Sequence, residues 1–78
     1  MDDDRRTRVR EAALEVFLRH GYRKVTMDDI AQGAGISRPA LYLVFPNKEA
    51  VFREVVRVGL DDLVERIEQG LTALTTPA

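Results

Sequence analysis

The sequence contains no cysteine in its 78 residues. Disulfide scaffolds and thiolate metal sites are therefore excluded, and a reducing, cytoplasmic setting is the expectation. Its single histidine, His20, leaves too few ligands for a metal site, so neither a metal nor a cofactor is expected. No apolar run approaches the roughly 18–20 residues that span a bilayer, so no membrane association is expected. The opening Met1-Asp2-Asp3-Asp4 is acidic where a secretory signal is basic and then apolar. Repeats, low-complexity tracts and the alternation of a β-strand are also missing. Apolar residues at 45% and charged residues at 32% give an ordinary globular mixture. A domain this small buries only about 60–65% of the surface its unfolded chain exposes, so its core is marginal unless something else covers it.

The formal net charge of −1 conceals a division. Residues 5–57 carry eleven basic side chains against six acidic ones, whereas residues 1–4 and 58–78 are each acidic. A basic middle suits contact with a polyanion, although an excess this small is also compatible with an ordinary solvated surface.

Periodicity predicts an all-α chain of four helices. The first runs from about Arg6 to His20, with Val9, Ala13, Val16 and Phe17 on one face, and Gly21 as a left-handed cap. Residues 1–5 are read as a flexible acidic N-terminus. Thr26-Met27-Asp28-Asp29 approaches a capping box and opens a short second helix ending near Ala34. Gly35-Ile36 then turns the chain, Ser37 caps a third helix over Arg38–Val44, and Pro39 falls in its first turn. Pro46 stops that helix, and Asn47 opens a long fourth from Lys48 to about Leu71. Val51, Phe52, Val55 and Val56 are expected to close the core. Leu60, Leu63, Val64, Ile67, Leu71 and Leu74 form a second apolar stripe with nothing left in the chain to cover it.

Two short helices joined by a glycine turn describe a helix-turn-helix over about residues 26–45, within a head spanning 6–57. Ala31 allows a close crossing, Gly35 permits positive φ, and Ile36, Leu41 and Val44 fill the wedge. Arg38, Pro39, Ala40, Tyr42 and Leu43 cannot all face inward on a helix anchored this way. The leading part of the second helix is what such motifs push into a major groove. Thr26 and Ser37 bring hydroxyls to helix starts, and Tyr42 and Lys48 supply further donors. A helical hairpin that packs and recognises nothing is the plainer alternative on the spacing alone.

From about Arg8 to Phe52 the chain resembles the DNA-binding head of the tetracycline-repressor (TetR) family of transcriptional regulators. The resemblance rests on Thr26-Met27-Asp28-Asp29-Ile30-Ala31, Ala34-Gly35-Ile36-Ser37, Ala40-Leu41-Tyr42 and Phe45-Pro46-Asn47-Lys48-Glu49-Ala50, with Ala12-Ala13-Leu14, Phe17 and Gly21-Tyr22 upstream. It implies a ligand-responsive repressor whose third helix reads double-stranded DNA. Thr26 is then expected on a phosphate, with Ser37, Arg38, Pro39 and Ala40 at the leading end of the reading helix. Arg38 is the candidate for guanine, whose O6 and N7 match its fork. Tyr42 is expected to reach phosphate and base, Lys48 to clamp the backbone, and Arg5 and Arg6 to extend along the duplex as a flexible arm. Where relatives carry aromatic or histidine side chains, Leu43 and Val44 present apolar surface suited to a thymine methyl.

The family also implies a palindromic operator, and a homodimer and small-molecule inducer site in a further helical domain. Residues 58–78 are accordingly expected to be the distal fourth helix and tail leading to that domain, as in an excised head. The competing reading is a protein-interaction module that uses the Leu60–Leu74 stripe. An enzyme is not expected: Asp28 and Asp29 suit a helix start, and no carboxylate pair has a base nearby.

Overall fold

The computed structural model describes the backbone of residues 2–75 and the side chains of residues 4–71. Four helices follow in order, α1 (Asp2–His20), α2 (Met27–Ala34), α3 (Arg38–Val44) and α4 (Lys48–Thr75), with no strand among the described residues. The all-α expectation holds. The Leu74 side chain and tail residues 76–78 lie outside the described residues.

Each helix end has a local cause. α1 begins at Asp2, four residues before the expected start at Arg6, so residues 2–5, read as part of a flexible acidic terminus, are helical. Aspartates in a first turn face the positive end of the helix dipole, and the same charges that resemble a solvated tail favour a helix start. Gly21, at φ 85°, closes α1 with its N–H donating to the Phe17 carbonyl at 2.8 Å. Thr26 and Asp29 complete a capping box: Thr26 Oγ1 accepts from the Asp29 N–H at 3.1 Å, and Asp29 Oδ2 accepts from the Thr26 N–H at 2.9 Å. Gly35, at φ 70°, ends α2 with a Schellman pair, its own N–H donating to Gln32 O and that of Ile36 to Ala31 O. Ser37 Oγ then accepts from the Ala40 N–H at 3.2 Å and starts α3, and Asn47 Oδ1 accepts from the Ala50 N–H at 2.8 Å to start α4.

Val9, Ala12, Ala13 and Phe17 of α1 meet Ile30, Ala31 and Ala34 of α2, Leu41 of α3 and Val51 of α4 in one core. Val25, Met27 and Phe45 join it from the helix margins. Two residues assigned to the core, Phe52 and Val56, are instead each 39% exposed. Phe52 packs at the rim with Phe17 and Tyr22, ring centroids 5.0–5.6 Å apart, because the small head leaves α4 only one buried ridge, Val51–Glu54–Val55.

That ridge contains an acid. Glu54, 8% exposed, is bonded by the guanidinium groups of Arg6 on α1 and Arg57 on its own helix. Arg6 also donates to the Val44 carbonyl at 3.5 Å and lies over the Phe45 ring, 4.7 Å from its centroid. One buried carboxylate thus ties α1, the end of α3 and α4 together. Beyond Val58 every described residue of α4 to Leu71 is exposed, so its distal half projects from the head.

Candidate nucleic-acid interface

The core determines which side of α3 faces water. Leu41 is fully buried, Ala40 and Val44 are half-buried beside it, and Ser37, Arg38, Pro39, Tyr42 and Leu43 are exposed. Because side chains four apart share a helix face, Arg38 lies above Tyr42 and Pro39 above Leu43. Arg38 sits 5.7 Å from the Tyr42 ring centroid and 3.4 Å from Asp28 at the start of α2. Tyr42 first and Asp28 second favour its charged form and raise its pKa above the ordinary arginine value.

Two further expected site residues, Thr26 and Lys48, stand at the starts of α2 and α4. Thr26 is exposed at the α2 start, and its Oγ1, which accepts within the capping box, retains a hydroxyl proton for an external acceptor. The Thr26 N–H, through its bond to Asp29, holds that carboxyl below its usual range. Lys48, in the first turn of α4, donates to the Tyr22 carbonyl at 2.8 Å and stands 4.2 Å from the Tyr22 ring centroid. Its ammonium is thereby mounted against the turn between α1 and α2.

Arg5 and Arg6 require a correction. They are not an arm, since both belong to α1, and Arg6 is committed to Glu54, Val44 and Phe45. Arg5 remains exposed, and a shallow cleft lined by Arg5, Arg6, Leu43 and Val44 separates the α1 start from the end of α3. Helix α1 therefore brings Arg5 beside the end of α3.

Sequence reasoning missed the partners Asp28 and Glu54. The second had a signal: an acid at the inward spacing Val51–Glu54–Val55–Val58 requires a cationic partner within reach. The stripe residues Leu60, Leu63, Val64, Ile67 and Leu71 are each 51–56% exposed. Among the described residues no His, Cys, Asp or Glu cluster is placed to hold a metal, and no helix is long and apolar enough to cross a membrane.

A short helix capped by serine, wedged into the core by one leucine and exposed along its outer face has the form of the second helix of a helix-turn-helix DNA-binding head. Comparison with known proteins agrees. Residues 9–55 match the tetR family of bacterial regulatory proteins. The HTH-type transcriptional activator FasR of Mycolicibacterium smegmatis is 40% identical over 94% of this chain and 33% of its own length. The HTH-type transcriptional regulator YfiR of Bacillus subtilis is 36% identical over 86% of the chain and 33% of its own length. The HTH-type transcriptional repressor KstR2 of Rhodococcus jostii is 38% identical over 92% of the chain and 37% of its own length. The chain belongs to the tetR family, as a DNA-binding regulatory domain, and spans about a third of the length of these curated relatives.

Proposed function

We propose that this chain is the operator-reading head of a ligand-responsive repressor, binding without catalysis. The observation that carries the reading is the outward ridge of α3, rigidly mounted and bordered by cations. α3 enters the major groove, which is wide enough for a helix. Ser37, Arg38, Pro39, Ala40, Tyr42 and Leu43 meet the bases and their sugars, and Arg38 reads guanine once it leaves Asp28. Thr26 and Lys48 bind phosphates on one border of the groove and Arg5 on the other.

In the whole protein the distal α4 face, Leu60 to Leu71, packs on a further domain that binds a small-molecule inducer and forms the homodimer. Two heads then read a palindromic operator in the cytoplasm, on nucleoid DNA. One head alone binds weakly, because it lacks the gain from tethering. Repression is the outcome that asks least of a head, which need only occupy its site.

The competing interaction-module reading is favoured by that same exposed face. Salt titration against duplex DNA separates the two. Phosphate contacts make the logarithm of affinity fall by about 0.9 per unit of log salt for each contact. Lys48 and Arg5, the two cationic phosphate contacts, give a slope of about −2, unaffected by Leu63→Asp. Duplex binding that is indifferent to salt, or partner binding lost in Leu63→Asp with no DNA binding at all, would reverse the assignment.

A further inference from the structure

The most outward line of the reading helix is apolar. On a helix held inward by Leu41, with half-buried Ala40 and Val44 together on one flank of it, the positions opposite Leu41 are Pro39 and Leu43. Leu43 is 83% exposed, the highest value among the exposed large apolar side chains. A single exposed leucine is ordinary, but this one has three distinguishing features. It is paired with Pro39 on one ridge of a capped, anchored helix. The only guanidinium on that helix, Arg38, lies to one side and is engaged by Asp28 and Tyr42. On the other side Arg5 and Arg6 line a cleft that includes Leu43 itself. An apolar ridge with the base-reading Arg38 on one side and Arg5 on the other suits a major groove, whose base edges are bordered by phosphates.

The base edges in that groove present hydrogen-bond donors and acceptors and one apolar group, the C5-methyl of thymine. An aliphatic side chain can favour only that group. We infer that Leu43, backed by Pro39, reads the C5-methyl of a pyrimidine in the operator, so that a methyl contact carries part of this chain's base preference. The inference rests on the groove-reading function proposed above. Thymine and 5-methylcytosine place the methyl at the same point on the ring, so both satisfy the contact.

The test uses a duplex selected by the chain from a random-sequence pool, with each thymine in turn replaced by deoxyuridine. That change deletes the methyl and leaves the pairing edges intact. At one position the chain should lose about fourfold in affinity, the factor that corresponds to one buried methylene-sized group at about 0.8 kcal/mol. At that position 5-methylcytosine should bind tighter than cytosine by a similar factor. Leu43→Ala should abolish both differences, whereas Leu43→Met, which keeps an apolar tip, should retain most of each. Leu43 is too exposed for either change to threaten folding. Thymine and uracil binding alike throughout, or a difference that survives Leu43→Ala, overturns methyl reading and leaves DNA recognition standing. Failure to bind any duplex at low salt overturns both.

Discussion

Glu54→Gln tests the junction that holds the reading helix to the rest of the head. The substitution preserves volume and removes the charge that Arg6 and Arg57 share. Breaking a fully buried ion pair costs roughly 3–5 kcal/mol, because an uncompensated charge is left behind. Here the orphaned cations are better placed, since the Arg6 and Arg57 side chains are 42% and 64% exposed and can rehydrate. Pairs at the surface are worth about 0.2–1 kcal/mol. The expected loss lies between these limits, at about 1–2 kcal/mol. In a domain of this size about 1 kcal/mol moves the melting temperature by roughly 4–8 °C, so a fall of roughly 5–15 °C is expected. Thermal unfolding followed by far-ultraviolet circular dichroism measures it. Arg6→Gln should reproduce most of the loss, and the double variant should cost little more than either single one. A melting temperature unchanged in Glu54→Gln, or fully additive losses, would refute the shared junction.

Acid should act through the same residue. Hydrogen bonding from Arg57 first, and then from Arg6, holds the Glu54 carboxyl below its ordinary value of 4.5. Its contribution is complete above that value and lost as pH falls through the lower folded one, so Glu54→Gln should flatten the decline in melting temperature below about pH 5. Thr26→Ala removes the acceptor of the α2 cap and should cost about 0.5–2 kcal/mol in denaturant unfolding; it should also weaken all duplexes alike. Lys48→Ala should weaken binding equally across sequences and reduce the salt slope by about one contact; an unchanged slope places Lys48 off the DNA. Arg38→Ala should cost about 1–3 kcal/mol on the preferred duplex and relax base preference, whereas equal losses on scrambled DNA would make it a phosphate contact.

The motif was legible because its signals are local. Thr26, Gly35 and Ser37 fix helix ends through bonds that span at most five residues, so the bounds of α2 and α3 follow from the sequence. Val25 carries a further local signal. It precedes the cap and is buried with Ile30, the arrangement of a hydrophobic staple. What was not legible depends on distant partners. Whether Asp2–Asp4 form a tail or a first turn is decided by what α1 packs on, and the apolar stripe begins only at Val9. Phe52 has the spacing of a core residue, yet its depth is set by how far α4 overhangs a small head. Arg6 is engaged by Glu54, 48 residues away, a pairing that no local pattern in the sequence shows. Nor does the sequence reveal that Arg38 rests against Asp28 rather than standing free.

The central claim is that the outward side of α3 meets the duplex. Amide chemical-shift mapping of the labelled chain during titration with selected duplex DNA at low salt tests it most directly. Changes should concentrate on Ser37–Leu43, with smaller ones at Arg5, Thr26 and Lys48, and spare Leu60–Leu71. Changes confined to the distal α4 face, or none anywhere, would contradict it.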